Sequence, residues 1–131
     1  MLKIVPTSPS NQLLQVIEVK TSQNLIGAVI GLLRDKRPSP KSIGIKISSF
    51  LQYLDTQGEL ENEIEALKFE MLKIMCQEEN PVLRKNAVTN LDLNDSTFPQ
   101  LVKRIRDKDS DIRCTVFRKL IKEKIQLTSL E

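Results

Sequence analysis

Histidine and tryptophan are absent from the 131 residues, and tyrosine occurs once. Without an imidazole the chain cannot build a Ser–His–Asp or Cys–His nucleophile, a His-ligated zinc site or a histidine acid/base. Two cysteines, Cys76 and Cys114, are too few for a four-ligand zinc site or a disulfide framework. Aromatic residues make up 4% of the chain and do not interleave with its basic residues, which argues against base stacking on single strands. The longest uninterrupted apolar run, Leu25–Leu33, is less than half of the roughly 20 residues that cross a bilayer. Pro6 and Pro9 interrupt the N-terminus before a signal-peptide core can form. These absences point to an intracellular, non-enzymatic protein with reduced thiols, no membrane segment, no cofactor and no metal.

What is present is an ordinary globular balance, 40% hydrophobic and 28% charged, with a formal net charge of +3. The charge is unevenly spread. Residues 1–54 are basic, 55–80 acidic and 81–131 basic again, a pattern that bears on partners more than the total does.

Helical periodicity runs through almost everything after residue 10. Ile43, Ile47, Phe50, Leu51 and Leu54 recur on one face, and Ile64, Leu67, Met71, Ile74 and Met75 on another. Ile112, Val116, Leu120 and Ile121 make a third apolar side, on a helix starting at Asp109–Asp111. Pro40 suits a first turn, Gly58 separates two helices, and Asn80-Pro81 breaks the pattern before Val82–Leu91 resume it. Glu59, Glu61, Glu63 and Glu65 suit an exposed helix start, and Ser96 or Thr97 is placed to cap a short helix from Pro99 to Arg106. Leu25–Leu33 is read as a helix, because no second strand-like segment exists to pair with it. The fold expected is all-α.

The chain also repeats itself. Residues 106–120 (RDKDSDIRCTVFRKL) lie over 34–48 (RDKRPSPKSIGIKIS), matching Asp107 to Asp35, Arg113 to Lys41 and Arg118 to Lys46. Residues 79–91 lie over 108–120, with Arg84 on Arg113. The unit is an apolar helix, a turn with an acidic or polar residue, and a second helix with an early basic residue. It resembles the HEAT repeat, and the resemblance implies an α-solenoid of about three helical hairpins, approximately 24–54, 63–91 and 97–125. Residues 1–9 are expected to be a flexible N-terminus of this single segment, 1–131. In HEAT arrays the turn Asp and the early basic residue tie neighbouring repeats together, which gives Asp35, Asp107, Lys41, Arg84 and Arg113 a stacking role.

Over residues 25–130 the chain resembles, more narrowly, the N-terminal HEAT region of the CAP-G family, the non-SMC HEAT-repeat component of condensin. The resemblance rests on Val82-Leu83-Arg84, Phe98–Val102, Arg104–Asp107, Asp109–Arg113, Arg118-Lys119-Leu120 and Lys122–Ile125. It implies sequence-independent duplex DNA binding beside a kleisin segment, in the SMC-containing condensin complex of mitotic chromosome condensation, in nucleus and cytoplasm. The residues allow it, since 99–124 hold nine basic side chains against four acidic. Candidate phosphate contacts are Lys103, Arg104, Arg106, Lys108 and Arg113, then Arg118, Lys119 and Lys122, with Arg84 and Lys85 from the preceding repeat. The other reading is a generic HEAT or armadillo-type adaptor that binds a protein partner and no nucleic acid. Apolar residues toward both ends, Leu13, Leu14, Val16 and Ile17 and then Ile121, Ile125 and Leu127, where repeat arrays carry polar caps, suggest further repeats or self-association.

Overall fold

The computed structural model describes residues 9–54 and 58–129, and the side-chain surroundings of all of these except 9–11, 15 and 124–129. Among the described residues six α-helices follow one another: α1 (Pro9–Leu33), α2 (Pro38–Leu51), α3 (Glu61–Gln77), α4 (Pro81–Asn90), α5 (Phe98–Lys103) and α6 (Ser110–Ser129). A 3-10 turn, Arg104–Arg106, extends α5, and there is no strand among the described residues. The chain is all-α. The expected flexible N-terminus lies outside the described residues up to residue 8, whereas Pro9 already opens α1.

Local chemistry explains where the helices start. Pro38, Pro81 and Pro99 occupy the first or second positions of α2, α4 and α5, where a missing N–H costs nothing. Asn80 caps α4 by accepting from the Val82 N–H at 2.9 Å, and Asp109 caps α6 by accepting from Asp111 N–H (2.9 Å) and Ile112 N–H (3.2 Å). Glu61 and Glu63 place negative charge in the first turn of α3. Gly58, at φ 78°, supplies the left-handed residue in the connection before α3. Before α5 the expected cap is replaced by a local turn. Asn94 accepts from the N–H groups of Ser96 and Thr97 (2.9 and 3.0 Å), and the Thr97 hydroxyl turns back to the Asp92 carbonyl (2.9 Å).

Neighbouring elements pack on one another. α1 packs on α2, α3 on α4, and α6 on the 3-10 turn after α5. Between pairs, α1 lies on α3, while α2, α4 and α6 form a continuous row with α4 in the middle. Ile26, Val29 and Leu33 of α1 meet Ile45 of α2 and Ile64, Leu67, Met71, Ile74 and Met75 of α3 in one core. Leu83, Ala87 and Val88 of α4, Leu101 of α5 and Ile112 and Val116 of α6 complete it. Each fully buried aliphatic side chain in such a core stabilises by about 1.5–3 kcal/mol.

The structure corrects three expectations. On α2, Ile43 (52% exposed) and Phe50 (78%) point to solvent, and the covered face is Gly44, Ile45, Ser48 and Leu51. Ile121 is 56% exposed although Ile112 and Val116 on the same helix are fully buried. The Leu25–Leu33 run is the end of a 25-residue helix, and its stretch Gln12–Leu33 is long and apolar enough, by length and composition, to cross a membrane. Run length misses this because Ser, Thr, Gln and Asn, with only two charged residues, Glu18 and Lys20, interrupt the apolar ones. Ile26, Val29 and Leu33 of that stretch are nonetheless committed to the core.

Candidate functional site

The early basic residues of α2, α4 and α6 occupy equivalent places. Lys41, Arg84 and Arg113 are each the fourth residue of their helix. Arg84 reaches forward to Asp107, in the turn before α6, with Nε–Oδ2 at 3.1 Å and Nη2–Oδ1 at 2.9 Å. Its Nη1 donates back to the carbonyls of Glu78 (2.8 Å) and Glu79 (3.0 Å). The two side chains are 4% and 2% exposed, so this two-pronged pair is sealed from water. Lys41 makes the same forward reach to Glu78, in the turn before α4, at 2.6 Å. Arg113 repeats only the backward bond, donating to the Asp107 carbonyl at 2.6 Å. Asp35, expected to tie repeats together, is instead met by Arg37 of its own turn at 2.9 Å.

These contacts set the acidities. Burial pushes the Asp107 carboxyl up, but hydrogen bonds from Arg84 and the Asp109 N–H, with the charges of Arg84 and Arg104, leave it below its ordinary value. Glu78 behaves alike, with burial opposed and outweighed by Lys41, the Asn80 N–H and Arg84. The Arg37 hydrogen bonds hold the half-buried Asp35 carboxyl at about 2.

A second polar device closes the end of α4. Gln52 of α2 donates to the Asn90 carbonyl (2.5 Å) and accepts from the Asp92 N–H (2.8 Å). From the other side Lys119 of α6 donates to the Val88 carbonyl (2.6 Å) and to the Leu91 carbonyl. Helix ends leave such carbonyls without intrahelical partners, and here both neighbouring helices supply donors. Burial lowers the Lys119 ammonium to about 8, against the opposing charges of Glu123 and Asp92.

Between α4 and α6 an open groove of about 760 Å³ runs from Tyr53 along Lys85 and Thr89 on one wall and Thr115, Arg118 and Lys122 on the other. Asp92, Lys119 and Glu123 also line it. Arg118 and Lys122 lie one helical turn apart and are exposed, and Lys85 is half-buried. None of these three, nor exposed Lys46 on α2, has an ion-pair partner among the described residues. Tyr53 donates to Asp92 at 3.3 Å, and its hydroxyl is raised by burial and then by the Asp92 carboxylate.

The ten candidate phosphate contacts therefore fall into separate groups. Lys85, Arg118 and Lys122 come together in the groove, with Lys119 at its floor but committed to carbonyls. Arg84 is nearly enclosed, 4% exposed, and engaged by Asp107 where it borders a second recess. Arg104, Arg106 and Lys108 surround a different recess of about 280 Å³ at the turn side, beside Cys76 and Asp107. Arg104 there donates to the Cys76 carbonyl (3.4 Å) and lies 3.6 Å from Asp107, with its Nε buried and unpartnered. Lys103 stands exposed at the end of α5, in neither recess, and Arg113 is half-buried on its own turn.

Two participants were missed from sequence, Glu78 and Gln52. Glu78 stands six residues before Arg84, as Asp107 does before Arg113, so extending the match at 79–91 by a single residue finds it. Gln52 has no such signal. Cys76, whose thiol is raised mainly by burial, and exposed Cys114 are free thiols, and no group of three or more metal-ligating side chains occurs among the described residues. No family model, no curated protein and no solved structure matches the chain.

Proposed function

We propose that the chain is a non-enzymatic α-solenoid segment of HEAT-like hairpins that holds the phosphate backbone of duplex DNA in the α4/α6 groove. On this reading it works as a CAP-G-like segment of condensin, beside a kleisin strand. The carrying observation is that Lys85, Arg118 and Lys122, from two helices, line one groove with no acid bound to them among the described residues. Lys46 on α2, exposed and matched to Arg118 in the internal repeat, is a further candidate contact. Such contacts neutralise phosphates without reading bases, and the scarcity of aromatics disfavours unstacked single strands.

Anisotropy titration of a labelled short duplex tests this. Three to four neutralised phosphates give a log–log salt slope of about −3, so affinity falls roughly 40- to 150-fold between about 50 and about 200 mM salt. The triple variant Lys85→Glu, Arg118→Glu, Lys122→Glu abolishes binding, whereas Lys103→Glu leaves it nearly unchanged. Absence of duplex binding, or binding indifferent to the triple change, rejects the nucleic-acid reading and leaves the adaptor for a protein partner.

A further inference from the structure

The row α2, α4, α6 repeats one two-residue motif on its forward side, and only its last copy is open. One turn after Lys41, Arg84 and Arg113 stand Ile45, Val88 and Phe117. Ile45 and Val88 are 0% exposed, and their basic neighbours reach an acid of the next turn, Glu78 or Asp107. Phe117 is 49% exposed, Ile121 one turn further is 56% exposed, and Arg113 has no acidic partner among the described residues. The other end of the row shows the complement. Asp35 precedes Lys41 by six residues, as Glu78 precedes Arg84 and Asp107 precedes Arg113, yet among the described residues it meets no basic residue of another helix pair. Beside it α2 exposes Ile43 and Phe50, 52% and 78%. Their matched positions on α6 are Thr115 and Lys122, and between those two Lys119 reaches back to α4.

We infer that a second copy of this chain covers these ends, head to tail. Arg113 of one copy pairs with Asp35 of the next, and Phe117 and Ile121 pack on Ile43 and Phe50. The joint reproduces between copies the link that Arg84 and Asp107 make within one. Because each copy offers two different ends, the contact is head-to-tail, and it adds copies with concentration as an open chain, or as a ring if the rotation between copies closes. The inference shares the stacked-pair reading above but not its nucleic-acid part, and its test contains no nucleic acid.

Sedimentation velocity over a concentration series from about 1 to about 300 µM is the measurement, since that series brackets the micromolar Kd values of weak, transient contacts. The average mass of the unaltered chain rises with concentration. Arg113→Glu alone and Asp35→Arg alone weaken association about tenfold or more, because each sets like charges opposite one another. An equimolar mixture of the two recovers association, since every joint between unlike copies is again complementary. Phe117→Ser, at an exposed position, weakens association with the monomer's helical circular dichroism unchanged. A single monomeric mass throughout, variants that associate like the parent, or a mixture that fails to recover each overturn the inference. Capture of a different helical protein without self-association overturns it too.

Discussion

Arg84 ties together two turns of the fold. Four of its N–H contacts are taken, two by Asp107 and two by carbonyls of the turn preceding α4, so one guanidinium joins two turns that are far apart in sequence. Removing one member of such a sealed pair leaves the other charged and dry, which costs about 3–5 kcal/mol, far more than an exposed ion pair is worth. Arg84→Met and Asp107→Leu are each expected to lose stability on that scale in urea denaturation. The double variant is expected to lose clearly less than the two together, with a coupling of about 1–3 kcal/mol. Additive losses would mean that the pair contributes nothing beyond its separate packing. The internal repeat made Arg84 and Asp107 legible as stacking residues. It could not exclude Arg84 from the phosphate contacts, because both roles ask for the same residue type and burial alone separates them.

At the scale of elements, three glycines on two helices divide by what surrounds them. A Cβ on Gly44 would sit 3.0 Å from Leu32 Cβ, 3.1 Å from Leu33 Cδ2 and 3.2 Å from the Leu33 backbone nitrogen, so α1 and α2 approach there because this residue has no side chain. On α1, Gly27 and Gly31 would meet nothing within 4 Å. Helix propensity favours alanine over glycine by up to about 1 kcal/mol. Gly27→Ala and Gly31→Ala are therefore expected to raise the melting temperature. Gly44→Ala is expected to lower it, since forcing a methyl group against a backbone atom costs about 1–3 kcal/mol. A stabilising Gly44→Ala would show that the two helices separate easily. A helix start near Pro40, the break at Asn80-Pro81 and the start at Pro99 were legible because the reason for each lies within a few residues, although α2 begins two residues earlier, at Pro38. The close approach at Gly44 was not, because it depends on where α1 lies.

The whole molecule should feel pH through its linking turns. Asp107 and Glu78 are both held below their ordinary carboxylate values in the folded chain. A depressed carboxyl contributes stability that is complete above its unfolded value and lost as pH falls through its folded one. The melting temperature is therefore expected to hold from neutrality down to about pH 5 and to fall steadily below about pH 4. Asp107→Asn, itself less stable, should show a shallower acid fall. Lys119 acts in the same sense, over a higher pH window. Its folded form releases a proton at about 8 against an ordinary value of 10.5, so between these values the unfolded chain holds more protons and stability from this group rises with pH. Lys119→Met should remove that alkaline rise. A melting profile flat in acid would mean that the two links between helix pairs are not ionic.

Several features follow from residue order alone: the all-helical course, the starts of most helices, the matched places of Lys41, Arg84 and Arg113, and the lack of any imidazole chemistry. All of these depend on neighbours within one or two turns or on simple absence. Tertiary structure alone decided which side of each helix is covered. A period of 3.6 residues marks an apolar stripe but cannot say whether another helix lies against it, so Phe50, on the expected stripe of α2, ends up 78% exposed and Ile45, off it, 0%. It also decided that Lys119 closes the end of α4 while Lys122 stays free in the groove. Those fates depend on carbonyls some 30 residues away, which only packing brings within reach of one ammonium and not of the other.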